Sequence, residues 1–121
     1  QYDNLGFMVF EFPRYTIYLN AVSPYIVTAD VGTLFSNNVI RLEKNIRITS
    51  LNKTDFIQQI STEFIEIDLT TNTMFSDKEV LMTGAEFSML SHGFNANMQT
   101  KTFNLTGHVK TEFAAKTAAS L

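Results

Sequence analysis

The sequence predicts an all-β domain built of antiparallel hairpins. Apolar and polar residues alternate in short segments such as Ile46–Thr49 and Glu63–Leu69, and a period of two is typical of strands with one buried face. Turn residues separate the segments about every 8–12 residues, and no window holds apolar residues at helical spacing. Regularly spaced short strands of this kind favour a sandwich or a barrel.

The first part of the chain contains three predicted strands. Leu5–Phe12 is rich in aromatic residues and ends at Pro13, which cannot donate a hydrogen bond to a sheet. Arg14–Asn20 alternates apolar with polar residues. Ser23–Pro24 then predicts a turn into the third strand, Tyr25–Asp30.

The next segment predicts a hairpin. A short segment between Gly32 and Asn37–Asn38 leads into a predicted strand at Val39–Leu42. Lys44–Asn45 predicts a tight turn into a second strand, Ile46–Thr49.

The rest of the chain continues as strands and turns. Asn52–Asp55 predicts a loop because its side chains can hydrogen-bond to their own backbone, and Thr71–Asn72 and Ser76–Lys78 predict turns. The further predicted strands are Phe56–Thr62, Glu63–Leu69, Val80–Thr83, Ala85–Leu90, Phe94–Met98, Thr102–Thr106 and His108–Phe113.

The alternation also assigns the faces of these strands. The residues predicted to face the interior are Ile40, Leu42, Ile46, Ile48, Ile65, Ile67, Leu69, Phe87, Met89, Phe94, Ala96, Met98, Phe103, Leu105, Val109, Thr111 and Phe113. The opposite face carries Arg41, Arg47, Glu66, Asp68, Asn95, Asn97, Asn104, Lys110 and Glu112.

A weak internal repeat is visible. Val39–Ile48 and Thr102–Thr111 each show a strand, a two-residue polar turn and a second strand. One interpretation is a stack of repeated hairpins that can be extended at either end, and the other is the mild repetitiveness of any β-meander. The pattern alone leaves both open.

Composition and charge exclude several classes of protein. The 121 residues carry a net charge of −3, whereas nucleic-acid binders need a basic patch. The absence of cysteine excludes disulfides and thiolate metal sites. No apolar run approaches the about 20 residues that span a bilayer. The sequence therefore predicts a soluble domain with no nucleic-acid partner.

The sequence is also poor in catalytic patterns. His92 and His108 lie far apart, each beside a glycine in a predicted turn, and their spacing does not suit a metal site. No nucleophile elbow or glycine-rich phosphate loop occurs. The sequence predicts a non-enzymatic protein with no cofactor and no metal.

The most informative feature is an aromatic surplus of 11 Phe with no Trp. Leu5–Phe12 carries apolar residues on both faces, which predicts that both faces are covered. Either the strand lies in the middle of a sandwich, or Phe10 and its neighbours line a groove for an apolar ligand.

Five segments carry the motifs of one family. They are Pro24–Asp30, Asn38–Ile48, Thr62–Leu69, Phe75–Val80 and Val109–Phe113. In this order they resemble LptC, the periplasmic component of the lipopolysaccharide export machine that is anchored in the inner membrane. The bridge protein LptA shares the fold and some of these motifs.

The resemblance implies a twisted β-jellyroll, open along one seam, whose interior holds the acyl chains of lipopolysaccharide. It also implies a chain of jellyrolls joined edge to edge. An LptA-like periplasmic protein would dock at the C-terminal edge, and the inner-membrane ABC transporter, with LptB/F/G-like subunits, would dock at the N-terminal edge. Lipid would pass from the transporter to the LptA-like protein.

Candidate site residues follow from these positions. By resemblance, Phe10, Phe103 and Phe113 match family positions that face the lipid, and Gly84 matches a structurally sensitive glycine. The inward-facing pattern adds as ligand-binding candidates Ile65, Ile67, Phe87, Phe94 and Leu105. The candidates for partner binding are His108, Val109, Lys110, Thr111, Glu112 and Phe113.

The chain departs from the family pattern in two places. The family's Gly-x-Val turn reads Lys44-Asn45-Ile46 here. The family's membrane helix and first strands would precede Gln1, so we expect residues 1–113 to form an N-terminally truncated jellyroll. Residues 114–121 would form a flexible tail. The full-length protein would be a periplasmic domain anchored to the inner membrane, and this fragment would be soluble.

Two other functions remain open. A purely structural, strand-stacking domain would have a closed core and no ligand. A carbohydrate-active β-sandwich enzyme would need paired carboxylates facing one groove. The acidic residues that would have to supply them show no such arrangement: Glu66, Asp68, Glu79 and Glu86.

Overall fold

The computed structural model describes residues 6–18, 23–107 and 109–113, which form twelve antiparallel strands and, within those ranges, no helix. The strands are β1 Phe7–Glu11, β2 Arg14–Tyr18, β3 Pro24–Thr28, β4 Val31–Phe35, β5 Val39–Ser50, β6 Gln59–Asp68, β7 Thr73–Ser76, β8 Val80–Thr83, β9 Phe87–Ser91, β10 Phe94–Asn97, β11 Thr102–Leu105 and β12 Val109–Phe113. The predicted all-β class is confirmed. Leu5, Asn20, His108 and the predicted tail 114–121 lie outside the described residues.

The pairing of the strands shows a meander of long strands, each bent in the middle. One half of the sheet has the order β1-β4-β5-β6-β7-β10-β11, and we call it the first half-sheet. The other half has the order β2-β3-β5-β6-β8-β9-β12, and we call it the second half-sheet. β5 and β6 belong to both halves. The architecture is the open antiparallel jellyroll that was predicted.

A line of bends, which we call the crease, joins the two half-sheets. Backbone hydrogen bonds tie successive bends together, from Phe12 N to Asp30 O (2.8 Å) and from Asp30 N to Lys44 O (2.9 Å). Further along, Thr106 N donates to Gly93 O at 2.9 Å. These bonds hold the bends in register, so the sheet folds along one line.

The structure corrects the hairpin predicted at Lys44–Asn45. Both residues have positive φ, 71° and 53°, but they form a bulge inside the single strand β5. The residues on either side of the bulge pair with the same partner, β6, with a register shift between Glu43 and Ile46. A bulge bends a strand without ending it, which lets β5 serve both half-sheets.

The same geometry explains the internal repeat. Gly107 aligns with Lys44 in the two similar segments, and it has nearly the same φ, 72°. Val39–Ile48 and Thr102–Thr111 are therefore two bent strands that cross the crease. The interpretation of each copy as a hairpin is wrong.

Three further differences separate the predicted strands from the observed ones. Phe56–Thr62 and Glu63–Leu69 were predicted as two strands, but β6 runs unbroken through Gln59–Asp68. β4 and β7 were missed as strands. β7 has no apolar alternation to find, because its Ser76 is buried while its Phe75 is 45% exposed.

The core lies between the half-sheets. Leu42, Ile46, Ile48 and Ile65 are completely buried, as the predicted faces require. Leu69 and Val109 were also predicted to face inward, but they are 50% and 39% exposed. Leu69 follows the end of β6 in a turn, and Val109 lies at the edge of the sheet, so neighbouring strands do not enclose them.

Candidate functional site

Two rows of apolar side chains run along the inner face of the first half-sheet. Each step of the first row is a cross-strand pair, and the row reads Met8, Leu34, Ile40, Ile67, Met74, Ala96 and Phe103. It extends from the edge strand β1 to the opposite edge strand β11 without a polar side chain. Side chains that pair across strands are in contact, so the row is a continuous apolar path.

A second row begins at the predicted lipid-facing residue Phe10. Phe10 pairs with Gly32, Gly32 with Leu42, and Leu42 with Ile65. On the far side Phe94 pairs with Leu105 and, toward β6, with the buried serine Ser76, so this row contains one polar side chain. The two rows therefore contain most of the predicted ligand-binding residues: Phe10, Ile65, Ile67, Phe94, Phe103 and Leu105.

The accessibility of these residues depends on their place in the row. In the middle, Ile65 (0% exposed), Ile67 (3%) and Phe94 (1%) are covered by protein. At the ends, Phe10 is 44% exposed, and Phe103 and Leu105 are half-buried. A ligand can reach the ends directly but the middle only if the half-sheets separate.

Phe87 and Phe113 belong to the second half-sheet and pair with each other across β9 and β12. Phe87 is 8% exposed, and its ring stacks on Phe56 with the ring centres 4.4 Å apart. Phe56 lies in the loop between β5 and β6 and is 69% exposed. The structure thus places Phe87 under an aromatic cover that the sequence did not predict.

Between the half-sheets, near β2, lies an apolar cleft of about 350 Å³. Ile40, Ile67 and Leu69 line it from the side of the first half-sheet, and Tyr15 and Ile17 line it from β2. The turns after β6 and β10 add to its lining Asn72, Met98 and Lys101. The cleft lies at the lower end of the volume range of small-molecule sites, about 300–1,000 Å³.

One polar atom at this cleft is unsatisfied. The Tyr15 hydroxyl is buried, and no described residue hydrogen-bonds to it. Burial raises the pKa of Tyr15 from 10.0 to about 12, because the charged phenolate would lose its hydration. The hydroxyl therefore stays neutral and can both donate and accept a hydrogen bond. The Lys101 side chain in the same lining does have a hydrogen-bond partner, because its Nζ donates to Met98 O at 2.6 Å.

Sequence reasoning identified Ile67 in this lining but missed Tyr15, Ile17 and Lys101 as site residues. Tyr15 and Ile17 did appear as the apolar side of a predicted strand. Nothing in the sequence indicates that Lys101 lies near them, since only the bent topology brings the two segments together.

The N-terminal edge of the sheet is formed by β1 and β2. β1 pairs with β4 and with no other described strand, and both of its faces are accessible: Met8 is 46% and Val9 57% exposed. The expectation that both faces of this strand are covered is therefore wrong for the described chain. A bare apolar edge is a template for another strand.

The C-terminal edge is formed by β11 and β12. β12 pairs with β9 and with no other described strand. Val109, Lys110, Thr111 and Glu112 are all exposed. Lys110 and Glu112 form an ion pair of 3.6 Å with both side chains 66% exposed, so it adds little stability. Four of the predicted partner-binding residues, Val109–Glu112, therefore lie on an accessible edge, and His108 lies outside the described residues.

Gly84 occupies a position with no room for a side chain. A Cβ atom there would overlap the ring of Phe87 and the carbonyl oxygen of Phe56. The Gly84 N–H donates to Phe87 O at 3.1 Å, which closes the turn between β8 and β9. The close contact supports the structural role predicted for this glycine.

Two of the carboxylates considered for glycoside hydrolysis, Glu66 and Asp68, have other contacts. Glu66 forms an ion pair of 3.2 Å with Arg41, on the strand faces away from the core. Asp68 accepts hydrogen bonds from the backbone N–H groups of Thr70 (2.9 Å) and Thr71 (3.2 Å). The lining of the cleft contains neither Asp nor Glu. Among the described residues, no three His, Asp or Glu side chains lie close enough to hold a metal ion.

The domain is thus an open antiparallel β-jellyroll with an apolar cleft, a continuous apolar inner row and two accessible edges. The chain matches the family model described as lipopolysaccharide-assembly, LptC-related, over residues 1–114, and it belongs to this LptC family. No curated protein matches the chain.

The family places the chain among the components of lipopolysaccharide transport in the cell envelope. No helix in the described part of the chain is long and apolar enough to cross a membrane.

Proposed function

We propose that this domain holds the acyl chains of lipopolysaccharide between its half-sheets and passes the lipid on to a neighbouring jellyroll. The observation that carries the proposal is the apolar row from Met8 to Phe103, which reaches both edges of the sheet. A closed globular core would end in polar residues at its edges. Here the row ends in accessible apolar side chains on both sides.

The two edges supply the partners in this proposal. A strand of an LptA-like periplasmic protein would add to the exposed edge at β12, so that the apolar interior continues into the next jellyroll. The inner-membrane ABC transporter, with LptB/F/G-like subunits, would dock at the N-terminal side of the domain. The domain would then work in the periplasm, attached to the inner membrane in the full-length protein.

Site-specific photo-crosslinking in cells that make lipopolysaccharide tests the lipid path. A crosslinker at Phe10 or Phe103 should capture lipopolysaccharide, because both side chains face inward at the accessible ends of the rows. Matched controls are the next residues in the same strands, Val9 and Asn104, which face outward and should stay silent. Lys110 is a third outward control.

Capture at the outward positions with silence at Phe10 and Phe103 would reject the lipid path. One observation favours the alternative of a purely structural, strand-stacking domain: the middle of the second row is closely covered by protein, with Leu42 and Ile65 0% and Phe94 1% exposed. That alternative predicts silence at the inward and outward positions alike.

A further inference from the structure

Tyr15 is one of the residues that line the cleft, and its hydroxyl is a buried polar atom. Apolar side chains line the cleft on both sides, and in the described chain no residue hydrogen-bonds to that hydroxyl. A buried hydroxyl without a partner is unfavourable, so it gains most from a ligand that brings its own hydrogen-bonding oxygen. A plain hydrocarbon chain would fill the cleft but leave this hydroxyl unsatisfied.

The position of Tyr15 indicates which part of a lipid it would meet. Tyr15 is the second residue of β2 and lies close to the crease. Tyr18, three residues later, is the last residue of the strand. At about 3.3 Å per residue, Tyr15 lies about 10 Å deeper than the end of the strand. The polar residues Asn72 and Lys101 lie in the turns at the mouth, where a head group would stay. Tyr15 would therefore meet the acyl chain.

We propose that Tyr15 is a specificity-determining residue that hydrogen-bonds a hydroxyl group carried on an acyl chain in the cleft. The inference rests on the proposed function, since it needs an acyl chain between the half-sheets. In this proposal the site binds hydroxylated chains more tightly than plain ones, and the phenol group of Tyr15 causes the difference in affinity.

Competition binding tests this role. The probes are tetradecanoic acid and isomers that carry one hydroxyl near the head, in the middle or near the tail, each displacing a fluorescent fatty acid. The parent should prefer one of the hydroxylated isomers about five- to tenfold, the effect of a single neutral hydrogen bond. Tyr15→Phe should bind tetradecanoic acid as well as the parent does and lose the preference.

Tyr25→Phe is the matched control. Its hydroxyl lies on the neighbouring strand and donates to Ile57 O at 2.8 Å, away from the cleft lining. This variant should lose thermal stability and keep the preference, whereas Tyr15→Phe should keep its stability because it loses no internal hydrogen bond. A drop in melting temperature for Tyr15→Phe, or equal affinity of the parent for all isomers, overturns the inference. Failure of the parent to bind any fatty acid would instead reject the proposed function.

Discussion

Lys44 holds a backbone conformation that is unfavourable for a lysine. Its φ of 71° lies in the left-handed region, where a Cβ atom crowds the backbone and glycine is the natural occupant. The position is the first of the bulge that bends β5 across the crease. It is also where the family pattern has its glycine, so this chain stabilises the same bend with a less suitable residue.

We predict that Lys44→Gly raises the stability of the domain. Glycine removes the left-handed strain, about 1–2 kcal/mol, and costs about 0.5–1 kcal/mol in chain entropy, which leaves a net gain of up to about 1.5 kcal/mol. Chemical denaturation measures the change. Lys44→Val is the counterpart, since a β-branched residue at positive φ should destabilise. If the two variants are equally stable, the backbone of the bulge can change its conformation without a cost in stability.

We predict that Gly84→Arg destabilises the domain by about 2 kcal/mol or more, because any side chain at Gly84 overlaps the Phe87 ring. The displaced ring would also lose its stacking on Phe56. Ala85→Arg is the control, because Ala85 is the next residue and is exposed. An unchanged melting curve and an intact partner complex for Gly84→Arg would show the position to be ordinary.

Among the elements, the strands that sequence reasoning found include those with clear alternation, such as β2 and the two halves of β5. The pattern could not tell the Lys44–Asn45 bulge from a hairpin turn, because both need positive φ in a polar dipeptide. The difference lies in the pairing of both flanks with β6, a long-range contact. β7 was missed for a similar reason, since its buried Ser76 and exposed Phe75 make sense only beside β10.

The candidate site shows the same limit. Inward-facing residues within one strand, such as Ile65 and Ile67, follow from the period of two. The cleft needs Tyr15 and Lys101 to meet across the crease, and only the bent topology brings these distant segments together. Exposure at the edge could not be predicted either, because the apolar faces of β1 look like a buried strand until its neighbours are known.

The loop between β5 and β6 is fixed by a buried polar cluster. Asp55 accepts hydrogen bonds from the hydroxyls of Ser23 (3.1 Å) and Ser50 (2.8 Å), and both serines are buried. The loop also carries Phe56, which covers Phe87. The cluster therefore couples the start of β3 to the aromatic cover of the second half-sheet.

We predict that Asp55→Ala costs about 2 kcal/mol, because two buried hydroxyls lose a charged acceptor. Phe87 should at the same time become more accessible, which hydrogen exchange in β9 would detect. Lys53→Ala, an exposed change in the same loop, should leave both measurements at the parent values. Parent-like exchange in β9 for Asp55→Ala would show that the cover does not depend on the cluster.

At the scale of the whole molecule, the apolar rows are linked to the edge strands, because the rows end there. The first row stays apolar from β1 to β11, and each added bent strand would lengthen it by one residue. A neighbouring jellyroll that pairs with an edge strand therefore extends the interior as well as the sheet. In the proposed function, strand pairing and the lipid path therefore depend on the same structural feature.

The last prediction tests that link at the C-terminal edge. Adjacent residues of an edge strand point their N–H groups in opposite directions, one into the sheet and one toward a docking strand. Proline at Thr111 and proline at Glu112 therefore have different effects. One of the two variants loses a hydrogen bond to β9, and the other loses a hydrogen bond to the partner. The variant that keeps the parent melting temperature has lost only the outward bond. We expect it to abolish binding to an LptA-like protein in a pull-down, as truncation before His108 should.

The same variant should keep its photo-crosslink to lipopolysaccharide at Phe10, at the opposite edge, since its interior is intact. If both proline variants bind the partner as well as the parent does, β12 is not the docking strand.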